Sequence, residues 1–340
     1  MAQVTGRVCS PKKLANKTFS GCFSPNAMTD LVARSGSFLK VLEDARRFAA
    51  FPRPVLIRGE RGTGKELIAR FIHDQSDRRD RPFVPINCAA YDDELVNAEI
   101  YGHEKGAFTG ADRMRTGKFE QANGGTLFMD EIGNMSMPFQ EKILRVVEYQ
   151  EFERVRGSER VKVDVRIISA TNASLEELME ENLFRRDLYD RLTFAEIRIP
   201  PLRHRKEDIP ELIVHFVRRL HQEIPNLLEK TFRKDTVEAM REYYWPGNVR
   251  ELKNIVERVY LYGPEQVITP SALPSEITGS TIGGNSFHEK VEDFKRQLIM
   301  AKLVECGNNQ RTAAQELGMT YDQFRHYYKK YCGLKKAAST

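Results

Sequence analysis

One segment, Gly59-Glu60-Arg61-Gly62-Thr63-Gly64-Lys65, restricts the possible folds of this chain more than any other. It lies between the apolar run Val55-Leu56-Ile57 and a helical pattern over Glu66–His73. Glycines let a backbone curl until its N–H groups converge on phosphate oxygens, and the following helix adds the positive end of its dipole. Lys65 supplies a point charge for the β/γ phosphates. Gly59, Glu60, Arg61, Gly62, Thr63, Gly64, Lys65 and Glu66 are thus candidate nucleotide-binding residues. Glu66 stands where such loops normally carry a magnesium-ligating Ser or Thr, so another group must hold the ion. Asp130 is that group: it ends the apolar run Thr126-Leu127-Phe128-Met129, and ligands bind beyond the carboxyl ends of strands in open α/β sheets. Asp130 would orient hydrated Mg²⁺, Glu131 would polarise an attacking water, and the implied reaction is ATP hydrolysis.

Further apolar runs at Phe83–Ile86 and Val165–Ala170 alternate with helical stretches. That alternation predicts an α/β fold, a parallel sheet covered on both faces. Phe38, Leu42, Ala45 and Phe48 recur at helical spacing and predict an amphipathic helix over Ser37–Ala50. From Glu207 to about Tyr262 the pattern is helical throughout. Ser271–Ser286 is poor in large apolar residues and reads as a linker, followed by a compact helical segment. The expected divisions are a tail over 1–30, an α/β subdomain over 31–205, a helical subdomain over 206–270, the linker over 271–286, an all-α domain over 287–333 and a tail over 334–340.

Charge is uneven along these parts. The net charge of +5 conceals +4 in residues 1–29 and +4 in residues 285–340, around a slightly acidic centre. Basic ends fit nucleic-acid contact without proving it. Residues 1–29 contain no acid and lack the apolar core of a secretory signal, so a disordered tail is expected; translation beginning at Met28 is the alternative. Five scattered cysteines with no C-x-x-C pair point to a reducing cytoplasm, and no apolar run reaches the roughly 18 residues that span a bilayer.

Gly106-Ala107-Phe108-Thr109-Gly110-Ala111 is a glycine-flanked loop with one large side chain. By physics alone a Phe108 tucked into the core is the simpler reading; presentation of Phe108 to a partner is the other. Taken with the P-loop and the strand ending Asp130-Glu131, the loop resembles the central domain of sigma-54-dependent transcriptional activators, a branch of the AAA+ ATPases. Ser169–Asn172 resembles the family's first sensor, Phe184–Leu192 its arginine-finger segment, Pro200–Arg203 the junction before its helical lid, and Trp245–Leu252 its second sensor. The resemblance implies that Lys65, Asp130 and Glu131 bind and hydrolyse Mg·ATP and that Asn87 restrains Glu131. It implies that Thr171 and Asn172 sense the γ-phosphate and that Arg250 reaches nucleotide from the lid. Arg185 and Arg191 would act on a neighbouring subunit's nucleotide, although a salt-bridged surface helix is the simpler reading of that stretch. The loop at 106–111 would press on sigma-54 RNA polymerase. Relatives usually carry a receiver or sensor domain ahead of the ATPase; fewer than 40 residues stand there here, so control is expected from a partner acting in trans, such as an inhibitor protein, from expression level, or from assembly.

Near the end, Gln310–Lys330 reads as a helix-turn-helix. Gly318 suits a helix C-terminus, and Thr320-x-x-Gln323 is a capping-box start for the next helix. The second helix is expected to bury Phe324 and at least one of Tyr327, Tyr328 and Tyr331. Thr320, Tyr321, Arg325, His326 and Lys329 are left as candidate contacts to enhancer DNA, by resemblance to the Fis-type domain of these activators. Val291, Phe294, Leu298 and Ala301 form an apolar stripe upstream. A hexameric ring is implied by the resemblance alone. Two other function classes stay open: a remodeller of a different protein, and a DNA-binding repressor with an idle ATPase.

Overall fold

The computed structural model describes residues 31–89, 93–108, 111–263, 265–278 and 309–332, together with 295, 299, 302, 303 and 306; side chains at 93–96, 322, 326 and 329–332 are excepted. The expectations for the two tails, for Thr109 and Gly110, for the Val291–Ala301 stripe and for the side chains of His326 and Lys329 lie outside the described residues. The described residues form two compact units, divided between Leu273 and Pro274.

In the first unit the chain runs through α1 (Gly36–Ala49), β1 (Val55–Arg58), α2 (Lys65–Asp74), β2 (Phe83–Asn87) and α3 (Asp93–Tyr101). It continues through β3 (Gly102–His103), β4 (Arg115–Thr116), α4 (Lys118–Gln121), β5 (Thr126–Asp130), α5 (Met137–Tyr149), β6 (Glu151–Glu153) and β7 (Arg160–Lys162). Then come β8 (Arg166–Thr171), α6 (Leu175–Glu180), α7 (Arg186–Leu192) and β9 (Ala195–Arg198). Five strands form a parallel sheet in the order β2-β5-β8-β1-β9. Its side chains alternate between faces, as strand geometry requires. Leu56, Leu127, Met129 and Ile167 join one apolar cluster with Phe119 and Phe139, whereas Val55, Ile57, Phe128 and Ile168 join another under α1 and α2. All six residues of β8 are buried, which fits a central strand covered on both faces.

Ser35 starts α1, its hydroxyl accepting from Phe38 N, and Ser136 and Ser174 do the same for α5 and α6. The buried stripe of α1 is Phe38, Val41, Ala45 and Ala49; Leu42 and Phe48 lie at its edge, so the stripe is turned from the expected one. The edge strand β9 and the antiparallel pair β6–β7 were not foreseen. In both, charged residues alternate with the few apolar ones, which hides them beside neighbouring helical patterns.

The helical part comprises α8 (Ile209–Glu223), α9 (Lys234–Glu242) and α10 (Asn248–Tyr262). The expectation of unbroken helix is corrected here by β10 (Thr231–Phe232), which pairs in parallel with β11 (Val267–Ile268). Trp245 is fully buried in the turn before α10, its indole N–H donating to Met240 O at 2.7 Å. Structure also extends into the stretch read as linker: Pro270–Ala272 is a 3₁₀ turn, followed by the buried Leu273 and by α11 (Ser275–Thr278). The linker expected from 271 therefore begins no earlier than 279.

In the second unit α12 (Gln310–Glu316) and α13 (Tyr321–Cys332) enclose Ala313, Ala314 and Phe324 together with Ile299 and Leu303. Gly318 takes φ +65°, and Met319 N donates back to Ala314 O at 3.0 Å. The capping box is formed: Gln323 N donates to Thr320 Oγ1 and Thr320 N to Gln323 Oε1. Tyr327 and Tyr328 are partly buried against the cluster. Tyr321, Arg325 and Thr320 are exposed.

Candidate nucleotide site and the loop above it

The P-loop connects the carboxyl end of β1 to α2, beside β8. Gly59 N donates to Thr171 O at 3.2 Å, so the loop starts alongside the end of β8. Gly62 and Gly64 take φ of +76° and +99°. A Cβ on Gly62 would lie 2.3 Å from Gly247 O, so glycine is required there by space as well as by conformation. Thr63 is buried and donates its hydroxyl to Glu60 O at 2.8 Å, closing the loop on itself. Lys65 opens α2 and donates to Gly59 O and Glu60 O at 3.1 and 3.3 Å. Burial lowers its pKa, against the opposing pull of Asp130 and Glu131. Glu66 and Arg61 are exposed.

Asp130 ends β5, in register with Asn87 at the end of β2. Its carboxylate accepts Glu131 N at 2.9 Å. Burial raises its pKa, and Lys65 works in the opposite direction. Glu131 adopts φ +57° and receives Asn134 Nδ2 at 3.2 Å, while Arg61 Nε lies 3.8 Å from its other oxygen. The Asn87 amide oxygen accepts Ala89 N at 2.8 Å, and the side-chain amide that donates a hydrogen bond to Glu131 is that of Asn134 rather than Asn87. Thr171 is buried, its hydroxyl accepting Ala173 N, and Asn172 is exposed. Arg250, in the first turn of α10, is exposed, and its charge is felt at both Lys65 and Asp130.

Several polar groups here escaped sequence reading. Glu60 is held by Arg203, two guanidinium nitrogens at 2.8 and 2.5 Å, and by Asn248 Nδ2 at 3.0 Å. Arg203 and then Asn248 hold its carboxyl down at a pKa of about 2. Arg205 is buried over the Phe38 ring and donates to Thr63 O at 2.9 Å. Burial lowers its pKa to about 10. Asp208, fully buried, accepts Arg34 N, Ser35 N and Ser35 Oγ. The one available signal was Arg203 and Arg205, two residues apart, at and just beyond the Pro200–Arg203 segment read as a junction.

Arg185 is the residue before α7 and pairs with Asp187, while Arg191 pairs with Glu148 at 3.0 Å and remains 60% exposed. The surface ion pairs weighed against the finger reading are thus present. Such pairs contribute only about 0–1 kcal/mol, which leaves both guanidinium groups free to exchange partners.

The loop springs from β3 and returns through β4, which pair antiparallel. Gly106 takes φ +78°, and its N–H donates to Ala111 O at 2.8 Å. Ala107 and Ala111 are buried; Phe108 is 42% exposed, with its ring 4.8 Å from that of His103. The simpler reading, Phe108 enclosed in the core, is therefore set aside. Arg154 beside β6 bonds Glu104 and Glu120 and ties the base of the loop to the β6–β7 hairpin.

Comparison with known proteins decides the family. Residues 31–198 match the Sigma-54 interaction domain, and residues 203–289 match the AAA+ ATPase lid domain. The Psp operon transcriptional activator of Escherichia coli (strain K12) is 43% identical over 317 residues, 89% of this chain and 98% of that protein. The chain belongs to the sigma-54-dependent transcriptional activators. The DNA-binding transcriptional regulator NtrC of Rhizobium meliloti (strain 1021) is 41% identical over 331 residues, 87% of this chain and 68% of its own. A crystal structure of NtrX from Brucella abortus in complex with ATP superposes with a TM-score of 0.67 at 34% identity, covering 89% of this chain and 69% of that one. Like other sigma-54-dependent activators, the protein is an AAA+ ATPase, with the parallel sheet, P-loop and lid of that fold. No helix among the described residues is long and apolar enough to cross a membrane.

Proposed function

We propose that this activator converts ATP hydrolysis at the Lys65–Asp130–Glu131 site into movement of the Phe108 loop against sigma-54 in the closed RNA polymerase complex, so that promoter DNA opens. The observation that carries this reading is the pairing of a complete P-loop site with a closed, glycine-flanked loop that exposes Phe108 in the same unit. Among the described residues no group of three or more His, Cys, Asp and Glu forms a metal cage. One carboxylate at a strand end beside a P-loop lysine suits magnesium, which is commonly held by one or two carboxylates plus phosphates and water. Asp130 would hold that hydrated ion, which supplies charge neutralisation at the β and γ phosphates when bound. Glu131 orients and deprotonates the attacking water, and Lys65 binds the phosphates. Thr171 and Asn172 sense the γ-phosphate from the end of β8, and Arg250 contacts nucleotide from the lid. Arg185 and Arg191 exchange their surface carboxylates for the nucleotide of a neighbouring subunit in a hexameric ring, which makes turnover depend on assembly.

In the same proposal α12 and α13 dock on enhancer DNA, with Tyr321, Arg325, His326 and Lys329 facing groove or phosphates and Thr320 at the start of the reading helix. An inhibitor protein acting in trans sets the activity, and the work is done in the cytoplasm. The test is promoter opening by sigma-54 polymerase on linear DNA carrying an upstream site. Open complexes that require this protein and hydrolysable ATP support the reading. Opening without hydrolysis, or none at any protein concentration, overturns it.

A further inference from the structure

We propose that Asn248 is a positioning residue for ATP, a seam that binds the P-loop to the lid so that the loop's own backbone sets where Arg250 stands. The inference rests on the nucleotide site proposed above and adds a determinant of ATP affinity outside the phosphate-binding residues.

Asn248 is fully buried and adopts φ +52°, a left-handed conformation that Asn tolerates better than most residues. Its Oδ1 accepts Leu202 N at 2.8 Å, from the chain that leads out of β9. Its Nδ2 donates to Glu60 Oε2 and to Arg61 O, both at 3.0 Å. One side chain therefore joins the sheet-to-lid junction, the P-loop carboxylate and the P-loop backbone. The same seam carries two main-chain bonds: Val249 N and Arg250 N both donate to Gly62 O, at 3.0 and 3.3 Å. Gly62 approaches Gly247 O too closely for any side chain to fit between them. Arg203 clamps Glu60 as well and lies over the Tyr244 ring at 4.6 Å.

Residues tied by this many short bonds move as one body. Arg250 follows Asn248 by two positions, so the crest of the P-loop carries the root of Arg250 with it. Binding then need not pay the entropy of bringing lid and loop together at that point. The donor of Asn248 is the selective element, because Glu60 faces it with a carboxylate. Asn248→Asp would set two carboxylates against each other and leave Arg61 O without its donor, and adding Glu60→Gln would restore the bond between the two side chains alone.

The test measures ATP turnover and equilibrium binding of a fluorescent ADP analogue on the full chain, with thermal unfolding run alongside. Asn248→Asp should raise KM for ATP about tenfold, since Glu60 and Arg61 O both lose their donor, and change kcat less. The double variant Glu60→Gln/Asn248→Asp should recover part of that loss, with KM below that of Asn248→Asp alone. A folded Asn248→Asp protein with unchanged KM overturns the proposal, and so does a double variant that fails to recover. If Asn248→Asp does not fold, Arg203→Gln carries the test with the same expected rise in KM, and an unchanged KM there is equally fatal. Lys65→Ala is the separate control: if it still binds the analogue, the reading of the site fails rather than the role of Asn248.

Discussion

Glu131 is held at φ +57°, a conformation that costs a non-glycine residue about 1 kcal/mol or more. Bonds from its own N–H to Asp130 and from Asn134 to its carboxylate keep it there. As the proposed general base, it should be separable from binding: Glu131→Gln is expected to lower single-turnover hydrolysis at least about 100-fold and leave ATP affinity near the parent value. Unchanged turnover would reassign the base. Burial also narrows the useful pH range of the pair beside it. Asp130 has a raised pKa and ionises only at higher pH than a free carboxyl, whereas Lys65 has a lowered pKa and loses its charge at lower pH than a free amine. ATP affinity should fall off on both limbs, and Asp130→Asn should remove the acid one in a titration of binding against pH. Lys65, Asp130 and Glu131 were legible in the sequence because a P-loop and a strand end are local patterns. Asp208 was not, since its meaning depends on Ser35, 173 residues away. Asp208→Ala strands three donors, two of them on the buried Ser35, and should destabilise the fold by about 3 kcal/mol, read as a lower urea midpoint.

Elements were legible where one period dominated. The apolar runs of β1, β5 and β8 and the helical spacing of α8 and α10 are unmixed signals, and all of them formed. The edge strand β9 and the β6–β7 hairpin were hidden because their partners, not their composition, make them strands. The loop between β3 and β4 lay between these cases: its glycines announced an unusual path, but only the structure shows Phe108 resting on His103 with an exposed edge. That placement gives Phe108 no core to fill. Phe108→Ala should therefore abolish promoter opening while ATP turnover stays within about twofold, because surface truncations change stability by only about 0.5 kcal/mol. A parallel loss of turnover would return Phe108 to the core. At the other end of the site, Gly62→Ala forces a methyl group to within 2.3 Å of Gly247 O. It should lower ATP affinity and thermal stability together, which a binding isotherm and a melting curve would show.

On the scale of the whole molecule, the sequence showed the order of its parts more clearly than their limits. Folded structure runs on through Leu273 to Thr278, where composition alone had placed a linker, because short turns bury single apolar residues that leave no periodic trace. The basic surplus in 285–340 is the electrostatic side of the enhancer proposal, and affinity for that DNA should drop steeply with salt. Assembly is the other property of this scale. In the proposed ring Arg191 and Glu131 come from different subunits to one site, so two inactive variants, Arg191→Ala and Glu131→Gln, should recover part of the parent turnover when mixed. Additive inactivity would place both residues in the same subunit's site. Coupling between the two ends of the machine is tested most directly by capture of purified sigma-54 in the presence of a nucleotide mimic of the cleavage state. Retention of sigma-54 with the mimic, its loss with ADP alone, and its loss again in Phe108→Ala are the expected results. No retention with the mimic, or retention indifferent to nucleotide, would contradict the coupling.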